Sequence, residues 1–184
     1  MSFLTTTTAL QFKVVEKADA LQIQAMTDFV MAGRRIMFPM LDHQVIPDDL
    51  SFFQQTFIEH PLGCFIAVYE QKKLVAVAGF RAYDQRFSHL FDLKAQTVVE
   101  LVKLYVLPQY RRQQIATQLV QKLKQLAHQK NIDVIYLHTQ PFLAGAKAFW
   151  LQQGFETILE EQDPIWYTIH MRLDSSSFNT INYQ

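Results

Sequence analysis

The chain has 184 residues, 49% apolar and 18% charged, with 17 Lys and Arg balanced by 17 Asp and Glu. That length suits one domain with a sizeable core, and the balance excludes an overall field drawing the chain to nucleic acid or anionic membrane, leaving room only for a local basic patch. A lone Cys64 excludes an internal disulfide, and no apolar run approaches the roughly 20 residues of a membrane helix.

In chain order, MSFLTTTTALQF lacks the basic and apolar regions of a signal peptide, so a cytoplasmic location is expected and residues 1–9 read as a flexible lead. Leu10 to Val15 is a strand candidate. Asp19 opens a helical pattern through Leu21, Ile23, Met26, Phe29, Val30 and Ile36, which Gly33-Arg34-Arg35 interrupts and Pro39 ends, predicting one long or two short helices. Pro47-Asp48-Asp49 starts another helix carrying Leu50, Phe52, Phe53, Phe57 and Ile58. The cluster Met31, Met37, Phe38 and Met40 fits core packing or a substrate pocket. Cys64–Tyr69 and Lys73–Phe80 are β-like runs joined by three polar residues, which predicts an antiparallel hairpin with a buried Cys64 thiol.

Arg81 to Leu93 is a polar-aromatic connection to a strand at Thr97–Leu107. Pro108 stops that strand, a basic and amide-rich turn follows, and Ile115, Leu119, Leu123 and Leu126 mark one face of a helix. Amides at the start of that helix lack intrahelical partners and stand beside Arg111 and Arg112, a junction suited to phosphate. Asn131–Thr139 reads as a strand covered on both faces and parallel to the strand before the helix. Ala144–Gln153 is a short helix stopped by Gly154, and Phe155–Leu159 with Ile165–Leu173 make a last hairpin. Residues 10–174 thus form one mixed α/β domain, its mostly antiparallel sheet having a central parallel pair and helices on both faces, and residues 175–184 read as a loosely attached tail. The six histidines show no metal spacing, and Walker, GxSxG and GxGxxG motifs are missing.

The order strand, basic turn, helix, strand, short helix, Gly-Phe, strand resembles the GNAT superfamily of acyl-CoA-dependent N-acetyltransferases. Val106, Pro108, Arg111, Ile115 and Ala116 match its Val-x-Pro and Gln/Arg-x-x-Gly-x-Gly/Ala motif, and Ala146, Gly154 and Phe155 match its second signature. The resemblance implies acetyl-CoA as acyl donor, its pantetheine arm on the backbone of Leu104, Tyr105 and Val106 and its pyrophosphate on Arg111, Arg112, Gln113, Gln114, Ile115, Ala116 and Thr117. Three positions depart from the pattern. Gln114 replaces a usual Gly, Leu143 a frequent Asn, and Trp150 a Tyr that protonates the leaving thiolate; an indole N–H donates a hydrogen bond to the cofactor but is no ready proton source.

The resemblance also implies a carboxylate base, for which Glu100 is the choice. It interrupts an apolar strand, and parity puts it on one face with Val102, Leu104 and Val106. Burial is expected to raise its pKa, and a base is needed because an amine near pKa 10 is protonated at neutral pH. Pairing with Lys103 or an arginine of the connection is the bland alternative. His138 is a second acid-base candidate or a hydrogen-bonded structural residue. Tyr105 is a substitute proton donor, although parity points it away from Glu100. Tyr83, Asp84 and Arg86 line the acceptor mouth or belong to a surface loop. The expected function is acetyl transfer to a primary amine of a small molecule or peptide, without metal, nucleic acid or membrane; the alternatives are an acyl-CoA-binding regulatory module with little turnover and a plain interaction domain. Trp166 and Tyr167 serve either a homodimer contact or the core.

Overall fold

Seven strands form one sheet in the computed structural model, which describes residues 9–93 and 97–178. They are β1 (Leu10–Val14), β2 (Cys64–Glu70), β3 (Lys73–Ala82), β4 (Val98–Val106), β5 (Val134–Thr139), β6 (Glu156–Glu160) and β7 (Ile169–Asp174), in the order β1-β2-β3-β4-β5-β7-β6. Every pairing is antiparallel except β4 with β5. The helices α1 (Ala20–Met37), α2 (Asp48–Ser51), α3 (Ile115–Gln129) and α4 (Ala146–Gln152) complete the mixed α/β domain. None of the described helices is long and apolar enough to cross a membrane.

Two cores flank the sheet. On one face, α3 and the residues around α4 bury Ile115, Leu119, Leu123, Trp150 and Phe155 against Ile66, Ala78, Leu101, Ile135 and Met171. On the other, α1 and α2 bury Met26, Val30 and Leu50 against Phe65, Val77 and Tyr105, helped by the π-helical turn Gln54–Glu59. The rings of Phe53 and Phe57, tilted to each other and each edge-on to Phe65, 4.8–5.2 Å apart, anchor that turn. Farther along the same face, Tyr83, Phe87 and Phe91 of the connection cover Val134 and Tyr136.

α1 begins with a reciprocal Asp19–Gln22 capping box and runs unbroken through Gly33. Gly33 is a contact residue rather than a breaker, since a Cβ there would meet the Tyr105 ring at 2.7 Å. The segment expected as one helix from Pro47 divides into α2 and the π-helical turn. The last strand starts at Ile169 rather than Ile165, because the Asp163 carboxylate accepts hydrogen bonds from the amides of Ile165 (3.0 Å) and Trp166 (2.7 Å) and holds a turn there. After β7, Ser175–Ser177 make a 3-10 turn that seats Phe178, 2% exposed, in the α3 core. Residues 1–8 and 179–184, read as the lead and most of the tail, lie outside the described residues.

The feature that shapes the site is a bulge in β4. Gly79 pairs with Val102 and Val77 with Tyr105, so Ala78 alone opposes Lys103 and Leu104, and Lys103 takes a left-handed φ of 60°. The extra residue resets the alternation. Glu100, Val102 and Tyr105 therefore share the α1 face, while Leu104 and Val106 pack on the α3 core. This corrects the parity expectation for both Glu100 and Tyr105.

Candidate active site

β4 and β5 are joined only over Val98–Glu100 and Val134–Tyr136, and beyond these residues the strands part. The parting is lined on one side by the bulged end of β4 and on the other by Leu137, His138 and Thr139, which retain only their β7 pairing. At its α3 side lies the basic turn. Tyr110 ties that turn to the sheet by donating its hydroxyl to Glu70 Oε2 at 2.5 Å. Arg111 Nε donates to the Val106 carbonyl (3.2 Å) and its guanidinium lies 5.9 Å from the Tyr105 ring centre. Gln114 caps α3 with φ 58° and ψ 14°, a left-handed conformation that glycine adopts more easily. The first bond of α3 runs from the Gln118 amide to the Gln114 carbonyl (2.9 Å), so the amides of Ile115, Ala116 and Thr117 precede the intrahelical ladder. Arg112, Gln113 and Gln114 are exposed around them, and Gln113 donates to the Gln109 carbonyl.

On the opposite face lies Glu100, 1% exposed. Its Oε2 accepts from Arg81 Nη2 and Arg86 Nη1, both at 2.8 Å, and its Oε1 accepts from Arg86 Nη2 and His138 Nδ1, the latter at 3.2 Å. A carboxylate offers about four acceptor positions, and all are used. Burial pushes the Glu100 carboxyl up, but hydrogen bonds from His138 and Arg86, with the charge of Arg86, outweigh it and hold the group well below the usual carboxylate range. The expectation of a raised Glu100 pKa is therefore overturned, because His138 and Arg86 supply what water would have supplied.

His138 differs in access, its side chain being 31% exposed. Nδ1 faces both Glu100 Oε1 (3.2 Å) and Arg86 Nη2 (3.4 Å). The shorter contact is to a carboxylate oxygen, which can only accept, so a proton on Nδ1 satisfies it and leaves Nε2 as the acceptor nitrogen. Asp84 and Arg86 do reach the site, joined at 2.8 Å, and Asp84 also accepts from Arg81 (3.1 Å). Tyr83 plays a packing part: its ring lies 4.8 Å from that of Tyr136 and its hydroxyl accepts from the Phe87 amide. Tyr105 is 4% exposed, its ring held edge-on by Phe29 at 5.5 Å. Trp150 is 7% exposed and wedged between Phe149 and Phe155. Leu143 lines a depression of about 340 Å³ with Gln140, Gly145 and Leu151.

The pairing weighed as the bland alternative for Glu100 is present through the arginines of the connection and not through Lys103: Arg81 reaches Glu100 because the β3–β4 register sets them opposite, whereas Lys103 Nζ reaches Asp49 Oδ2 at 2.9 Å because the bulge turns it towards α2. A second buried chain runs beside the site. The Tyr136 hydroxyl lies 2.7 Å from His170 Nδ1, and His170 Nε2 lies 2.7 Å from Glu161 Oε1. No group of three His, Cys, Asp or Glu among the described residues is arranged to hold a metal. Burial pushes the Cys64 thiol up to about 12, against a smaller opposing effect of Lys130.

A family model described as the acetyltransferase (GNAT) family matches residues 26–155. No curated protein matches the sequence. Among solved structures, a GNAT acetyltransferase from Staphylococcus aureus is similar with a TM-score of 0.67 and 18% identity over 90% of this chain and 99% of its own. The PaiA N-acetyltransferase of Thermoplasma acidophilum, solved in complex with coenzyme A, gives 0.61 and 12% over 89% and 99%. YncA from Salmonella typhimurium, solved with its cofactor acetyl-CoA, gives 0.64 and 14% over 91% and 94%. At these identities the likeness shows the fold.

Proposed function

The chain belongs to the acetyltransferase (GNAT) family, and from that premise we propose that it transfers an acetyl group from acetyl-CoA to a primary amine in the parting of β4 and β5. That parting, open after Glu100 and Tyr136 with the unladdered amides of α3 on one side and the Glu100–His138 pair on the other, is the observation that carries the reading. The turn fits the coenzyme: the Ile115, Ala116 and Thr117 amides with Arg111 and Arg112 would hold its pyrophosphate, and the bulged backbone of Leu104, Tyr105 and Val106 its pantetheine arm. Bound there, acetyl-CoA supplies an activated thioester carbonyl.

His138 Nε2 takes the proton that the amine must lose to become a nucleophile. Glu100 is a positioning residue, holding Nδ1–H so that Nε2 keeps its lone pair, while Arg86 and Arg81 keep Glu100 charged. This reverses the order of the two candidates, because a carboxylate with every acceptor position filled has none left for a substrate proton. A second reading, a coenzyme-binding module with little turnover, is favoured by Trp150, which is packed into the core and offers no phenolic hydroxyl.

Acetyl-CoA at a hundredfold over its dissociation constant is expected to stabilise the chain by about 2.7 kcal/mol, a rise of roughly 5 to 10 °C in melting temperature. No shift at millimolar acetyl-CoA would sink both readings. Free-thiol release with a panel of primary amines separates them. His138→Gln should lower the rate at neutral pH by about a hundredfold with the acetyl-CoA shift intact, the deficit narrowing as pH approaches the amine's own value. An equal deficit at all pH values would remove His138 from the role.

A further inference from the structure

Three segments from different parts of the chain bring aromatic rings together beyond the ends of α1 and β5. Phe38 follows α1, Phe142 follows β5, and Trp166 precedes β7. The Phe38 and Phe142 rings meet edge-on at 5.7 Å, and those of Phe142 and Trp166 lie 6.4 Å apart. Their position relative to the site follows from the fold. α1 is locked to the β4 bulge by Gly33 and Phe29 against Tyr105, and Phe38 lies five residues past Gly33, about 7 Å farther along the helix. Phe142 is four residues beyond His138, and Trp166 four before His170, the β-ladder partner of His138; four residues span at most about 14 Å. The rings thus link the end of α1, on the β4 side of the parting, to the loops that follow β5 and precede β7, within a short length of chain from His138.

Two further observations say what this bridge receives. Phe142 is 43% exposed, and Met40, Val45, Ile46 and Ile165 of the same loops are exposed as well, whereas loops ordinarily present polar groups to water. The charged groups beneath are committed to one another: Arg81 and Arg86 to Asp84 and Glu100, Lys103 to Asp49. Asp163 is occupied by backbone amides, and Arg34 by the Asp42 carbonyl. Among these described residues the mouth holds no cluster of unpaired carboxylates for a polyamine and no unpaired cation for an acidic acceptor, but it does hold ring faces.

From this we infer that the acceptor is a primary amine bearing an aromatic or branched aliphatic group, which Phe38, Phe142 and Trp166 receive while its nitrogen meets His138. The inference rests on the amine reading above and names its substrate class. Small amines and peptides with an apolar N-terminal residue share this chemistry. Because each buried methylene discriminates by roughly tenfold or more, a group of several carbons gives a readable preference.

The test is thiol release with acetyl-CoA against phenethylamine and isopentylamine, ethanolamine and spermidine, and dipeptide amides beginning with Leu, Gly or Glu. Phenethylamine or isopentylamine, or the Leu dipeptide, is expected to exceed its polar counterparts at least tenfold in kcat/KM, and whichever set responds identifies the source. Phe142→Ala, at a half-exposed position, should bring that ratio towards one and weaken phenethylamine binding followed by tryptophan fluorescence. Trp166→Leu should do the same to the ratio, covering the case in which the first variant misfolds. Equal or better turnover of ethanolamine or spermidine, or an unchanged ratio in both folded variants, overturns the inference and leaves the amine reading standing. Release with no amine of any kind ends both.

Discussion

A buried carboxylate kept charged by its neighbours has a stability signature. Glu100 in the folded chain is held below its ordinary value, so its contribution is fully present above about pH 4.3, the unfolded Glu value, and is lost as pH falls from there towards the folded value. Glu100→Gln is expected to unfold at lower denaturant at pH 7 and to lose less stability than the parent between about pH 5 and 3. Asp84 is also held low, its burial outweighed by Arg86, and it shares Arg81 and Arg86 with Glu100, so the difference between the two proteins reports Glu100 together with its coupling to Asp84. A parallel acid dependence in both would show that the ion pairs are not maintained in solution. At Gln114 the left-handed φ of 58° costs a non-glycine residue about 1 kcal/mol. Gln114→Gly should therefore raise stability by up to about 1 kcal/mol, with Gln114→Val moving it the other way. Glycine there should also increase the acetyl-CoA thermal shift, by letting a pyrophosphate come nearer the amides.

At the scale of elements, α1 depends on contact at Gly33 more than on helix propensity. Gly33→Leu pushes atoms into the Tyr105 ring and is expected to cost about 1–3 kcal/mol, read from urea unfolding, whereas Ile36→Leu on the exposed side of the same helix should be nearly neutral. A neutral Gly33→Leu would mean that helix and strand are less tightly joined. This is also where sequence and structure diverge. α3 was legible because Ile115, Leu119 and Leu123 recur on one stripe, and the β2–β3 hairpin because two apolar runs flank a short polar turn. Gly33 read as an interruption because its reason lies seventy-two residues away in Tyr105. The start of β7 was misplaced because Asp163 spends its carboxylate on two local amides, a turn that apolar periodicity does not record.

For the whole molecule, the parting of β4 from β5 divides a seven-stranded sheet into halves joined within the sheet by three residue pairs and, on its two faces, by the α3 core and the connection that carries Arg86 and Phe87. A ligand seated between the halves should slow hydrogen exchange at Leu104–Val106 and Leu137–Thr139 when acetyl-CoA is added, with β1 and β6 unaffected. Uniform slowing across the sheet would point to binding elsewhere. The candidate site was legible as a set of residue types that the structure brings together, Glu100, His138, Asp84 and Arg86, but not as a circuit. Which of them holds the proton depends on Arg81 standing opposite Glu100, and that follows from register alone.

The bulge in β4 also has a meaning for chain length. With Lys103 removed, the strand reads Glu100, Leu101, Val102, Leu104, Tyr105, Val106, a regular alternation in which every remaining side chain keeps the face it has now. β4 is thus an ordinary central strand carrying a single inserted residue. A chain shortened by that residue should still fold, with its melting temperature lowered chiefly by loss of the Asp49 partner, yet show no thermal shift with acetyl-CoA. One deletion would then separate the scaffold from the cleft it carries.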